Sequence, residues 1–294
     1  MKNNQFFREN LLINKHLAPL TWFNVGGNCE YFFQPKNDEI LIQFLKEKKM
    51  NCEISPLGAG SNILIRDKGY EGIIIHFVKI NKIQIDKDGI ITAEAGAMDA
   101  QVSRFARDNN RSGLEFLIGI PGSIGGGIRM NSGAYGSDFN KILIDVKAVN
   151  KNGEVRVFKK DELGLGYRTN KLNNDWLFIN ARFNSFPGEK VKIQKLMKEI
   201  IFKRKETQPT GVKTGGSTFK NGTRYKAWEV IDKSGCRGLE YGGAEISKKH
   251  CNFIINKKNA TASDIEKLGE KVKEKVFIKT GYRLNWEIKI MGKK

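Results

Sequence analysis

Residues 119–136 read GIPGSIGGGIRMNSGAYG, seven glycines in eighteen positions, with Arg129 as the one charged side chain. Bare backbone lets main-chain N–H groups approach a bulky guest. Phosphate is the usual one, because converging N–H dipoles favour anions and glycine tolerates the φ > 0 conformations of such a nest. A shorter glycine loop, GAGSNI, stands at 58–63. Neither fits the two commonest phosphate templates. Ile63 holds the place of the third glycine in G-x-G-x-x-G, and Gly122 and Gly127 have Walker spacing but precede Ile128 and Arg129 instead of Lys and Ser/Thr. Two separate loops suit one long ligand gripped at two places, such as a flavin dinucleotide. Tight turns alone are the competing reading of either loop by itself.

Outward from these loops, the chain has 294 residues, 39% of them hydrophobic, and six prolines, enough for two or three folded domains. The apolar run within MKNNQFFRENLLINKHLAPLTW (1–22) is broken every two or three residues. It reads as neither signal peptide nor membrane span, so a cytoplasmic location without membrane insertion is expected. Cys29, Cys52, Cys236 and Cys251 form no C-x-x-C, which points to reduced thiols and away from zinc or iron–sulfur sites. The net charge of +19 comes from lysines scattered along the chain, the pattern of solvated faces, and it suits a polyanionic small substrate. The densest segment, EKVKIQKLMKEIIFKRKE (189–206), spaces Val191, Ile193, Leu196, Met197, Ile200 and Ile201 as an amphipathic helix with a basic outer face.

NDEILIQFLKEKKM (37–50) has a helical period between the apolar runs CEYFFQP and CEISPLGAGSNILI, a β-α-β unit leading into the 58–63 loop. GIIIHF (72–77) reads as a strand. KIQIDKDGIITAEAG (82–96) and ILIDVKAVNKNGEVRVF (142–158) read as hairpins turning at Asp88-Gly89 and Asn152-Gly153. DAQVSRFARDNN (99–110) reads as a helix with Asp99 as N-cap. The Gly/Thr/Lys-rich segment 208–222 marks a domain junction. Beyond it, RYKAWEVIDKSG is a helix ending at Gly235, HCNFIIN a strand, TASDIEKLGEKVKEKVFIKTG a helix capped by Thr261 or Ser263, and RLNWEIKI a last strand.

His16, His76 and His250 stand far apart with no paired-His spacing, so no metal site is expected, and His76 inside an apolar strand reads as a core residue. No G-x-S-x-G nucleophile elbow exists. The remaining polar constellations, GYRTNKL (166–172), GGSTFKNG (215–222) and TGYRLNWEIKIMG (280–292), each hold one chemically able side chain: Arg168, Ser217 and Glu287. Singly, each would be an ordinary surface residue.

Together with TWFNVGG (21–27), PLGAGSNILI (56–65), GLEFLIGIPGSIGGGIRMNSGAYG (113–136), RKETQPTGVKTGGSTFKN (204–221) and GGAEISKKHCNFIIN (242–256), these motifs form an ordered set spanning Thr21 to Gly292. The set resembles the UDP-N-acetylenolpyruvoylglucosamine reductase family of bacterial peptidoglycan synthesis. The resemblance implies an α+β protein. Its FAD-binding fold would be of the vanillyl-alcohol-oxidase (PCMH) type in two subdomains, 1–80 and 81–206, followed by a smaller α+β substrate domain, 207–294.

By the same likeness, FAD is held by Gly58, Gly60, Ser61 and Asn62 in the first loop. The second contributes Gly119, Pro121, Gly122, Ser123, Gly125 and Gly126, then Asn131 and Gly133. Arg168, Ser217 and Glu287 fall on the catalytic positions, and Arg204, Lys220 and Asn221 on those facing the UDP-sugar. The implied reaction uses NADPH to reduce FAD, then passes hydride to C3 of the substrate's enolpyruvyl double bond. Arg168, always charged and planar, suits the charge building on the conjugated carboxylate. Glu287 either orients Arg168 or polarises that carboxylate as a protonated acid. Ser217 delivers the proton to C2, eased by a neighbour such as Lys220.

Departures from the family pattern are Gly127 and Arg129 where a small residue is usual, Gly222 where proline follows the FKN motif, and Gln208 where the longer form has lysine. The short 168–204 segment leaves no room for that form's tyrosine-bearing loop, so the compact type is expected. A sugar or alcohol oxidase on the same scaffold would have no need of the Ser217 and Glu287 motifs. A nucleic-acid-binding protein would cluster its Arg and Lys with stacking aromatics, which this chain does not, and neither a nucleic acid nor an obligate protein partner is expected.

Overall fold

The structure, a computed structural model, describes residues 11–48 and 50–294, so the first ten residues of the N-terminal stretch and Lys49 of the first helical stretch lie outside the described residues. Two compact units interleave along the chain. The first comprises 1–13, 31–59 and 72–204, the second 14–30, 60–71 and 205–294.

In the first unit, the helix Asp38–Glu47 starts where the Asn37 side chain accepts the Ile40 N–H at 2.9 Å, with Asp38 and Glu39 in its first turn, favourable charges for a helix N-terminus. It buries Ile40, Leu41, Phe44 and Leu45, and Phe44 stacks on Phe33. The strand Ile54–Leu57 then pairs parallel with Tyr70–His76, in register Ile54 to Ile73. His76 is buried there, bonded through Nδ1 to Gln34 at 2.9 Å, and burial pushes its pKa down to about 4.

Both expected hairpins form, inside an antiparallel five-stranded sheet ordered Val155–Lys159, Leu143–Asn150, Trp176–Phe183, Ile91–Glu94, Ile83–Ile85. Each turn works the same way. A side-chain oxygen, of Asp86 or Asn150, accepts two loop N–H groups, and a glycine, Gly89 (φ +80°) or Gly153 (φ +83°), takes the left-handed position.

Three expectations in this unit need correction. Asp99 is not the N-cap of the helix Asp99–Asp108: Met98 holds that place, and the Asp99 carboxyl is fully buried in the first turn. The helix Lys190–Thr207 forms, but of the six apolar residues read as its stripe only Ile193, Met197 and Ile200 are buried, while Val191 is 80% exposed. The GGG run is no loop, because Ile124–Met130 is helical.

The second unit packs the helices Ala227–Lys233 and Ala262–Thr280 with a three-stranded antiparallel sheet, Glu240–Tyr241, Ala244–Ile246 and Ile254–Asn256. Their shared core includes Phe23, Phe219, Leu268, Val272 and Leu284. Thr261 caps the long helix by accepting the Asp264 N–H at 3.0 Å, and Asp67 accepts the Ala262 and Ser263 N–H groups, both at 2.9 Å. The last strand is shorter than expected, Lys289–Met291, and pairs parallel with Ile63–Ile65. Among the described residues no helix is long and apolar enough to cross a membrane, and no group of three His, Cys, Asp or Glu side chains is arranged to hold a metal.

Candidate active site

In the first unit the glycines of 119–133 act mainly by close packing. None of Gly119, Gly122, Gly125, Gly126 or Gly133 has positive φ, contrary to the left-handed nest expected; the positive angles in the stretch belong to Asn131, Tyr135 and Gly136. A Cβ at Gly119 would lie 2.7 Å from the Tyr135 ring, at Gly122 2.7 Å from Asp99 Oδ2, at Gly125 3.0 Å from Ala95 Cβ, at Gly127 2.4 Å from the Phe139 ring, and at Gly133 2.7 Å from Asp138 Cβ. Gly126 differs. Its nearest neighbour would be Ser123 Oγ at 3.8 Å, so this face of the helix is bare backbone beside open space.

Ser123 Oγ is buried with no hydrogen-bond partner among the described residues, and a Cβ on Gly58 would come within 2.3 Å of it. A buried hydroxyl without a partner is unfavourable by itself. A hydroxyl flanked by two glycines in this way fits an acceptor-rich guest such as a diphosphate, so the residues present suit FAD. Pro121, between Gly119 and Gly122, precedes the bridge that pairs Ser123 with Met98.

Asn131 closes the helix Ile124–Met130 in the left-handed conformation, φ +39°. Its side chain donates to Gly166 O at 3.0 Å and accepts the Asn140 N–H at 2.9 Å, which ties the 119–133 stretch to the loop carrying Arg168. Arg168 itself has φ +51° and donates through Nη2 to Gly133 O at 3.4 Å. Arg204, near Tyr135, is half-buried; burial lowers its pKa, and its buried Nε has no partner among the described residues. Arg129 is spent structurally. It donates to the carbonyls of Leu172 and Trp176, stacks 4.4 Å from the Phe178 ring centroid, and is pushed by burial down to about 10.

The second unit gathers the other half of the candidates. Gly60 has φ +67°, and a Cβ there would strike Leu20 O at 2.0 Å. Ser61 lies beside Gly216, whose Cβ would stand 3.9 Å from Ser61 O. Asn62 donates from Nδ2 to Glu287 O at 3.1 Å and accepts the Lys289 N–H at 3.0 Å. Glu287 N–H donates to Thr218 O at 2.8 Å, Lys220 N–H to Asn285 O at 2.9 Å, and Phe219 bridges Trp286. Ser217 and Glu287 therefore sit on two chain segments locked side by side. Asn221 Oδ1 accepts the Ala227 N–H at 2.8 Å, so part of this side chain anchors the helix Ala227–Lys233. Gly222 leaves room for the Tyr225 ring, which a Cβ would meet at 2.3 Å.

Sequence reading missed Thr218 and Asn252, whose bonds hold the Ser217 segment, and took the buried Asp99 for a helix cap. Asn252 lay within the quoted HCNFIIN motif, but nothing local distinguished it from a strand residue.

Residues 29–159 match the FAD binding domain family, and residues 208–291 match the family described as UDP-N-acetylenolpyruvoylglucosamine reductase, C-terminal domain. The UDP-N-acetylenolpyruvoylglucosamine reductase of Orientia tsutsugamushi (strain Boryong) is 45% identical over 285 residues, 96% of this chain and 94% of that protein. That of Rickettsia prowazekii (strain Madrid E) is 46% identical over 279 residues, 95% of this chain and 94% of its own length. The crystal structure of the Thermus caldophilus enzyme superimposes with a TM-score of 0.82 at 29% identity, covering 96% of this chain and 98% of that one.

Proposed function

The chain belongs to the UDP-N-acetylenolpyruvoylglucosamine reductase family, and on that premise we propose that Arg168, Ser217 and Glu287 carry its chemistry. The protein is an FAD-dependent oxidoreductase that uses NADPH to reduce the enolpyruvyl group of UDP-N-acetylenolpyruvoylglucosamine to UDP-N-acetylmuramate, a step of peptidoglycan precursor and cell-wall synthesis. FAD, when bound, supplies the two-electron relay between NADPH and the enolpyruvyl double bond.

The Ser123 hydroxyl, with the bare backbone of Gly58 and Gly126, holds the FAD diphosphate. The further residues assigned to FAD are Gly60, Ser61 and Asn62 in the second unit and Gly119, Pro121, Gly122, Gly125, Asn131 and Gly133 in the first. The FAD subdomains are 1–80 and 81–206, and 207–294 receives the UDP-sugar, with Arg204, Lys220 and Asn221 facing it. Arg168 stabilises the charge that gathers on the substrate carboxylate, where a planar guanidinium is suited to a planar anion. Glu287 either orients Arg168 or polarises that carboxylate as a protonated acid, and Ser217 gives a proton to C2. The protein works in the cytoplasm, on free UDP-sugar and NADPH.

The observation that supports this reading is the 2.8 Å bond from Glu287 N–H to Thr218 O, which ties the main chain at Glu287 to that of the residue after Ser217. Anaerobic spectroscopy tests it. The purified protein should be yellow, bleach with NADPH, and recover colour on addition of the UDP-enolpyruvyl sugar but not of simple ketones. Arg168→Ala and Glu287→Gln should slow recovery and spare bleaching. A colourless protein that takes up no FAD, or recovery at wild-type rate in both variants, would overturn the assignment.

A further inference from the structure

Ser217 begins a short extended segment with two differently made edges. One edge pairs with main chain: Glu287 N–H to Thr218 O at 2.8 Å, Lys220 N–H to Asn285 O at 2.9 Å, and the Phe219 to Trp286 bridge, whose rings lie 4.9 Å apart. The other edge is closed largely by one residue. Asn252 accepts the Phe219 N–H on Oδ1 at 2.9 Å, donates from Nδ2 to Phe219 O at 2.8 Å, and takes the Thr218 N–H on its own carbonyl at 2.8 Å. Thr218 Oγ1 adds a bond from Ile254 N–H at 3.2 Å.

A side-chain carboxamide thus does what a neighbouring peptide group does in a β-ladder, presenting one acceptor and one donor to the same residue. All three participants are buried: Asn252 is 5% exposed, Thr218 and Phe219 1% each. Buried hydrogen bonds of this kind fix geometry, because losing one strands its partner without water. Of the clamped residues, Thr218 directly follows Ser217 and accepts the Glu287 N–H, and Phe219 pairs with Trp286.

We propose that Asn252 is the positioning residue of the proton-donor step, holding the Ser217 hydroxyl at the distance from substrate C2 at which transfer is fast. The inference rests on the reading of Ser217 as donor. In that step C3 gains the hydride, C2 gains the Ser217 proton, the carbon–carbon π bond is lost, and the serine oxygen regains a proton from water. The half-reaction with NADPH needs no proton from Ser217 and is untouched by Asn252.

The pattern of donor and acceptor explains why an amide stands here. Aspartate in its place would keep the acceptor for Phe219 N–H but set a carboxylate oxygen against Phe219 O. Only its protonated form would restore the donor.

Stopped-flow measurement of the two half-reactions on the FAD-loaded protein tests this. Asn252→Ala should slow flavin reoxidation by the UDP-enolpyruvyl sugar on the order of 10²-fold, the loss that small misplacements of a reacting group cause. FAD content and NADPH-driven bleaching should stay within about twofold. In a Ser217→Ala background the same change should add nothing, since its effect passes through that hydroxyl. Asn252→Asp provides the second arm, with reoxidation recovering toward wild type as pH falls and the acid protonates. Equal slowing of both half-reactions, wild-type reoxidation in Asn252→Ala, or a pH-independent defect in Asn252→Asp would each overturn the proposal. If Ser217→Ala alone leaves reoxidation at the wild-type rate, the donor assignment is what fails, and the positioning proposal falls with it.

Discussion

Asn62 donates its side-chain amide to the main-chain carbonyl of Glu287 across 3.1 Å, and the Lys289 N–H returns to Asn62 O at 3.0 Å. The first glycine loop is thereby tied to the C-terminal segment that carries the candidate carboxyl. The Asn62 main-chain N–H is left to serve a cofactor phosphate.

That tie has a measurable size. Asn62→Ala removes one partly buried hydrogen bond, and net losses of this kind are about 1 kcal/mol. Urea titration should show a destabilisation of that order, with FAD content retained because the backbone still serves the cofactor. Loss of FAD with unchanged stability would show instead that the side chain belongs to the cofactor site.

Gly125 and Gly126 are neighbours in sequence with opposite surroundings. A Cβ on Gly125 would press against Ala95, whereas on Gly126 it would enter open space beside Ser123 Oγ. Gly125→Val should therefore lower the stability of the FAD-free protein by about 1–3 kcal/mol, the usual cost of overpacking. Gly126→Val should leave that stability near wild type and abolish FAD retention. Full flavin occupancy in Gly126→Val would remove this face from the diphosphate site.

Burial holds the Asp99 carboxyl well above the ordinary value of 3.8, and neither oxygen has a partner among the described residues. The folded protein thus keeps a proton that the unfolded chain releases. Its stability falls as pH rises above the unfolded value, by about 1.4 kcal/mol per pH unit until the folded value is reached. Asp99→Asn removes this linkage. The variant's stability relative to wild type should rise from pH 4 to pH 8 in denaturant titrations, and a constant difference across that range would refute the sign.

Arg129, the odd residue of the glycine stretch, joins the carbonyls of Leu172 and Trp176. Arg129→Met should destabilise by about 2–4 kcal/mol, since two carbonyls lose a charged donor. Once folded, the variant should show an unchanged KM for the UDP-sugar. A raised KM with unchanged stability would place the guanidinium in the substrate site.

Local chemistry made the hairpins legible. At Asp86–Gly89 and Asn150–Gly153 a capping oxygen and a glycine together define the turn within four residues, and nothing distant is needed. Thr261 announced a helix start in the same way. What local pattern could not carry was long-range pairing. That Ile63–Ile65 runs beside Lys289–Met291 follows from contacts more than 200 residues apart, and with them comes the assignment of 14–30 and 60–71 to the C-terminal unit.

The helix through Gly125–Gly127 is a related case. Three glycines argue against a helix on propensity alone, yet Ala95 and the Phe139 ring leave no room for side chains at two of them, and close packing wins. Arg168, Ser217 and Glu287 stand out as candidates only within an ordered set of motifs, since each alone has the look of a surface residue.

Single-turnover kinetics of Ser217→Ala test the assignment of roles most directly. The reduced enzyme is prepared anaerobically with NADPH and mixed with the UDP-enolpyruvyl sugar. The assignment predicts normal FAD content, near-normal bleaching, and reoxidation slowed on the order of 10²–10⁴-fold, the range for a lost general acid, with part of the rate recovered in Ser217→Cys. Equal slowing of both half-reactions, or reoxidation at the wild-type rate, would contradict it.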